Sequence, residues 1–158
     1  MDVLWFFEWL DASYLATLSK SSAGMFAVVQ MVHLLALALL GGMVLLGDLR
    51  LLGVLLRDVA SEVVLANTQK WFSIALLGLV VSGVYMSAAV AMKLYYNEMF
   101  WAKMAALVVG VVFVYAIRRP LLRHDHQSIS PWVLRCVAVA SMTVWITVAA
   151  CGRWIGFS

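Results

Sequence analysis

Charge is scarce in this chain: only 12% of its 158 residues are Asp, Glu, Lys or Arg, against 65% hydrophobic residues. With a mean hydropathy of +0.99, that balance excludes a soluble domain and defines a membrane protein. Cysteine is also sparse. Cys136 and Cys151 belong to one expected helix and lie about 22 Å apart at helical rise, too far for an intrahelical disulfide, so they carry no information on redox compartment. A basic leader is missing, because "MDVLWFFEWLDASYL" begins with an acid and adds Glu8 and Asp11, and the N-terminus is therefore expected to be retained. There is no internal repeat, no low-complexity tract, and no Rossmann, flavin or nucleophile signature. The basic pI of about 9.1 does not indicate nucleic acid, since the cations cluster beside hydrophobic runs, where topology and anionic lipid account for them.

What is present is long apolar sequence. Four runs can each cross a hydrocarbon core of about 30 Å: residues 24–47, 71–93, 100–117 and 131–151. The expected fold is an all-α integral membrane bundle of four transmembrane helices, one domain over residues 1–158. Residues 2–19, with Leu4, Trp5, Phe6, Phe7, Trp9 and Leu10 beside Asp2, Glu8 and Asp11, predict an amphipathic helix lying in the interface. The first span is expected to continue past the bilayer, because "GDLRLLGVLLRDVASEVV" keeps helical spacing. The brief "KLYYNEMFW" makes spans two and three antiparallel neighbours, and its Tyr95, Tyr96 and Trp101 suit a headgroup-level belt. Pro131 suits the first turn of the fourth span.

Orientation is read from the basic residues. One face holds Arg50, Arg57, Lys70, Arg118, Arg119, Arg123 and Arg135, the other only Lys20, Lys93, Lys103 and Arg153. The first face is expected to be cytoplasmic, which places both termini outside, in the periplasm of a bacterium.

The polar residues within the spans carry the functional argument. His33 lies in "MVHLLALALLGG", and an ionisable side chain at that depth is costly enough to be a functional hypothesis. Its plain role is an imidazole donating to a carbonyl on a neighbouring helix; its functional role is a metal or haem ligand, since imidazole is a common axial donor and bundles build such sites from inward side chains. Lys103 and Arg153 fall in the same outer half. Lys103 either snorkels to the headgroups or joins the site, and Arg153 either caps its helix or pairs with a carboxylate such as a propionate. Gln30, one turn before His33, is placed to hydrogen-bond within the site. Gly41, Gly42, Gly78, Ser82, Gly83, Ser87 and Gly110 permit close helix approach or leave room for a flat macrocycle. "RHDHQ", with His124 and His126, is read as a solvated loop on the opposite face. The nine methionines are spread over all spans as apolar filling, while Met86, Met99 or Met104 keep a soft-ligand, copper reading open.

Three segments, "VHLLALALLGGMVLLGDLRLLG", "FSIALLGLVVSGVYMSAAV" and "FWAKMAALVVGVVFVYAIRRPLL", resemble in order three spans of the copper-resistance-protein-D-like (CopD-like) membrane superfamily. The resemblance covers roughly residues 24–122, and the closing "W…GRWIGF" is similar to that of a small uncharacterised branch. The chain also resembles the HemJ-type protoporphyrinogen oxidases, small b-haem membrane proteins whose functional histidine and lysine match His33 and Lys103. That resemblance implies haem b ligated by His33, with Lys103 in the site. Porphyrinogen oxidation itself is not expected, because spans two to four hold no histidine.

The resulting expectation is a multi-pass protein of the bacterial inner membrane that binds haem b through His33, with Lys103, Arg153 and Gln30 around it. The sixth position is Lys103, a methionine or open. The expected activity is electron transfer at the outer half of the membrane, with a quinone or a membrane redox enzyme as partner. A homo-oligomer, or a subunit of a membrane complex, is the expected assembly. The alternatives are a copper-handling membrane protein and a cofactor-free accessory subunit.

Overall fold

A computed structural model of the protein describes residues 3–123 and 129–157. Every regular element among them is helical: α1 (Leu4–Asp11), α2 (Tyr14–Ser21), α3 (Ala23–Leu51), α4 (Ser61–Ala89), α5 (Ala91–Tyr95), α6 (Glu98–Val112), α7 (Arg119–Arg123) and α8 (Pro131–Trp154). A π-helical turn, Phe113–Arg118, joins α6 to α7, and a 3₁₀ turn, Ile155–Phe157, follows α8. Four helical stretches are long and apolar enough to cross a membrane: Ala23–Leu51, Val63–Ala89, Glu98–Leu121 and Pro131–Phe157. The protein is a multi-pass, all-α membrane bundle.

Local chemistry explains where the helices begin. The side chains of Ser13, Ser22 and Asn97 accept hydrogen bonds from the backbone N–H of Ala16, Met25 and Phe100, satisfying donors that a helix N-terminus leaves orphaned. Pro131 occupies the first turn of α8 as the sequence predicts. The N-terminal segment is two short helices instead of one, because Ser13 terminates α1 through its Oγ bond to the Leu10 carbonyl (2.6 Å) and then caps α2.

Other boundaries also differ from the hydropathy reading. The first helix does not continue through the basic stretch: it ends at Leu51, and Gly53 follows with φ +72° and Leu56 with φ 55°. Gly53 takes that left-handed conformation without the Cβ clash that Leu56 carries. The second span begins ten residues before position 71, at Ser61, and stops at Ala89. Its polar first turns are held by the buried Val64 and Thr68, so tertiary packing extends the helix where hydropathy fails.

Packing is pairwise. α3 lies antiparallel on α4, with a Cβ at Gly78 reaching within 3.4 Å of Ala36. α6 packs on α8, where a Cβ at Gly110 would stand 3.1 Å from the Trp145 ring. α3 also packs on α8. Spans two and three, although joined by a short connection, are bridged chiefly by side chains: Tyr115 hydroxyl to Ser73 Oγ at 2.8 Å, and the Phe72 and Tyr115 rings at 6.3 Å. Ser73 gives its own proton to the Gln69 carbonyl, which leaves Tyr115 as the donor in that pair. The central core is Leu40, Val44, Phe72, Ala75, Val114, Trp145 and Val148. A second cluster, Phe7, Leu10, Ala16, Ala88, Ala91 and Leu94, fastens α1 and α2 to α5 and the end of α4.

Candidate functional site

Two polar sites occupy the bundle, one on each side of this apolar core. The first is built around His33. Its Nδ1 lies 2.8 Å from Ser82 Oγ on α4, and Ser82 Oγ donates to the Gly78 carbonyl at 2.6 Å. A hydroxyl has one proton to give. With that proton committed to Gly78, Ser82 can only accept from the imidazole, so Nδ1 carries the hydrogen and Nε2 keeps its lone pair. The ring lies against Gly83, where a Cβ would come within 3.5 Å of His33 Cε1. His33 is half-buried, and among the described residues no protein group engages its Nε2. His33 thus reaches a backbone carbonyl of the neighbouring helix only through a serine.

Lys103, at the start of the third span, turns into the bundle instead of out to the headgroups. Its aliphatic stem crosses Gly152 of α8, with Cε 3.4 Å and Nζ 3.5 Å from where a Cβ would stand. Lys103 and His33 thus occupy the same end of the bundle, Lys103 against α8 and His33 against α4. The remaining predicted site residues are not brought in. Arg153 is exposed and places its guanidinium 4.7 Å from the Phe157 ring centroid, and Gln30 is exposed on α3. His124 and His126 lie outside the described residues. No group of three or more His, Cys, Asp or Glu side chains arranged for a metal ion occurs among the described residues.

The second site was not legible as a site. Asp48 and Arg118 count in the sequence only as charges at span ends, yet in the fold they meet as an ion pair, Arg118 Nη2 to Asp48 Oδ1 at 2.8 Å, with side-chain exposures of 7% and 0%. The fully buried Ser141 hydroxyl of α8 faces the same carboxylate. A buried charge survives only when it is paired, and here the guanidinium carried by the π-turn is the counter-charge to the carboxylate on α3. The fifteen residues separating His33 from Asp48 correspond to about 22 Å along α3, and the space between them is filled by Leu40, Val44, Phe72, Val114 and Trp145.

Fold and sites together define a four-span helical membrane protein with an imidazole and an ammonium at one end of its bundle and a buried ion pair at the other. The chain belongs to DUF6644, a family of unknown function, whose model matches residues 6–158. No curated protein and no solved structure matches it.

Proposed function

We propose that the protein is a b-type haem-binding membrane protein in which His33 Nε2 would hold the haem iron and which transfers electrons within the half of the bilayer nearer its termini. The supporting observation is the chain from His33 Nδ1 to Ser82 Oγ (2.8 Å) and on to the Gly78 carbonyl (2.6 Å), which assigns the proton to Nδ1 and the lone pair to Nε2. Metal-ligating histidines are held in this way, with the second ring nitrogen donating to a fixed acceptor that orients the ring. The similarity to CopD-like and HemJ-type proteins at His33 and Lys103 points in the same direction. Bound haem supplies a one-electron couple whose potential follows axial ligation, burial and nearby charge. Ser82 would orient the imidazole, and Lys103 would bring either a cation for a propionate or, deprotonated, a further nitrogen donor to the iron. The exposed Arg153 and Gln30 are left without a direct part. A quinol or a membrane enzyme is the electron donor in this reading. The end of the bundle carrying Arg50, Arg57, Lys70, Arg119, Arg123 and Arg135 then faces the cytoplasm of a bacterium, and both termini face the periplasm.

The test is optical. Protein purified in mild detergent from cells supplied with a haem precursor is expected to show a Soret band, with sharp α and β bands on dithionite reduction, and His33→Ala is expected to abolish them while leaving the helical circular dichroism unchanged. An unchanged spectrum in His33→Ala would remove the ligand assignment. A featureless visible spectrum would remove haem; copper in metal analysis of that sample would then favour copper handling, and no metal at all an accessory role.

A further inference from the structure

The π-turn before Arg118 has a specific effect on which residue enters the core. An α-helix turns about 100° per residue. Counted from Gly110, which is buried against Trp145, Ile117 is rotated by about 700°, within about 20° of two full turns, whereas Arg118 is about 80° past them. An uninterrupted α-helix would therefore turn Ile117 inward and Arg118 to the flank. The structure shows the opposite: Ile117 is 49% exposed and Arg118 is 5% exposed. The difference is the π-helix Phe113–Arg118, whose i→i+5 bonding takes more residues per turn and returns the eighth residue to the inward face.

The segment therefore has two chemically sensible registers. In the π register Arg118 enters and meets Asp48. In the α register an apolar side chain, Ile117, takes the inward place, and Arg118 moves to the flank, where its long stem lets the guanidinium reach toward the polar boundary. The partner decides between them. Among the described residues, the groups facing Asp48 are Arg118 from the π-turn and the neutral Ser141 from α8, with the neutral Thr68 of α4 beside Gly47. Arg50, two residues along α3, is engaged with the Val59 carbonyl at 2.8 Å. Arg118 is thus the one charged partner, and without it a wholly buried carboxylate must take up a proton.

The geometry points to a proton-coupled register switch: Asp48 as a carboxylate holds Phe113–Arg118 in the π register, and a proton on Asp48 releases the segment to the α register, exchanging Arg118 for Ile117 at the core. The step transfers one proton from the aqueous phase to the Asp48 carboxylate and makes or breaks no other covalent bond. It does not depend on a cofactor at His33.

The experiment uses the Ile117 methyl group as a reporter in the full-length protein. The chain has five isoleucines, so selective ¹³C-methyl labelling in lipid nanodiscs gives a sparse spectrum, with Ile117 assigned by Ile117→Val. A nitroxide-bearing lipid is expected to broaden the Ile117 signal in the wild-type protein near neutral pH, and Asp48→Asn is expected to shift it and reduce the broadening several-fold. Acidifying the wild-type protein is expected to do the same, which keeps the test available if Asp48→Asn does not fold. Deleting Ala116 makes Arg118 the seventh residue after Gly110, so the ion pair needs no π-turn and the Ile117 methyl stays in lipid at every pH. An Ile117 methyl equally broadened in the wild type and Asp48→Asn, or unmoved by acid down to the pH at which helicity is lost, overturns the proposal. So does an acid response that survives deletion of Ala116.

Discussion

Gly47 lies directly beneath the guanidinium of Arg118: a Cβ at this position would overlap Arg118 Nη2 and stand 3.5 Å from Thr68 Oγ1. The ion pair of Arg118 with Asp48 is therefore built on the missing side chain of the residue just before the acid. Gly42, on the same helix, has nothing within 4 Å of an added Cβ. The two glycines make a matched comparison. Gly42→Ala is expected to be neutral or to stabilise by up to about 1 kcal/mol, the helix-propensity difference. Gly47→Ala is expected to destabilise by about 1–3 kcal/mol through overpacking, because the displaced guanidinium leaves the Asp48 carboxylate without its counter-ion. Thermal unfolding in one detergent, followed by circular dichroism, compares them directly; equal melting temperatures would show that Arg118 yields without cost.

The hydroxyl of Ser82 has a different kind of consequence, because it fixes a proton as well as a position. Ser82→Ala removes the acceptor for His33 Nδ1–H, and the ring is then free to exchange tautomers and turn. Loss of one such hydrogen bond costs about 0.5–1.5 kcal/mol, so the bundle is expected to remain folded. If His33 ligates a metal centre, loss of this supporting partner is expected to lower its affinity by roughly 10–100-fold. Ser82→Thr keeps the hydroxyl and is expected to restore binding. Haem titration of the three proteins separates the outcomes: equal affinities would leave Ser82 as a packing residue alone.

How far the sequence reveals this arrangement differs between its parts, for physical reasons. The spans are legible because crossing a bilayer requires a run of apolar residues, and that is a local property. His33 and Lys103 are legible for the same reason in reverse, as isolated polar residues in apolar surroundings. Ser82 reads only as a small residue, because its role depends on α3 lying antiparallel on α4 with Ala36 at Gly78. Asp48 and Arg118 read as end-of-span charges, because a partner seventy residues away leaves no local trace. The π-turn is hidden more deeply still, since the 3.6-residue pattern favours Ile117 as the inward residue. The start of α4 at Ser61 is missed because Val64 and Thr68 are buried by tertiary packing, which hydropathy does not register.

The N-terminal helices provide a test of their own, since one apolar segment can either float in the interface or be fixed to the bundle. Phe7 is 5% exposed, with ring centroids of Tyr95, Phe100 and Trp101 at 5.5, 6.1 and 5.7 Å. Trp5 and Trp9 on the same helix are well exposed. Truncating a buried aromatic costs about 3–5 kcal/mol, so Phe7→Ala is expected to detach α1 from α5 and expose the 3–21 segment to limited proteolysis. Trp9→Ala is expected to leave it protected. Equal digestion of both variants would mean that α1 is held by the interface and not by this cluster.

Gly110 and Trp145 set the spacing between the third and fourth spans. A Cβ at Gly110 would meet Trp145 Cζ2 at 3.1 Å and Val144 Cγ1 at 3.2 Å, closer than ordinary van der Waals contact. Trp145 has little freedom to retreat, because its ring is packed edge-on against Phe72 at 5.2 Å and is 6% exposed. Gly110→Ala is therefore expected to require a shift of a few tenths of an ångström and to cost on the order of 1 kcal/mol, partly offset by alanine's better helix propensity. Gly110→Leu cannot be absorbed that way and is expected to separate α6 from α8. The Lys103 stem is carried by α6 and rests on Gly152 of α8, so the same separation is expected to withdraw its ammonium from His33. With the other six tryptophans of the chain replaced by phenylalanine, the emission maximum of Trp145 reads the first effect. The second predicts that any optical signature dependent on His33 and Lys103 shifts in Gly110→Leu, although the substitution touches neither residue. A Gly110→Leu protein with wild-type Trp145 emission and wild-type melting would show that α6 and α8 are not held at this distance by the glycine.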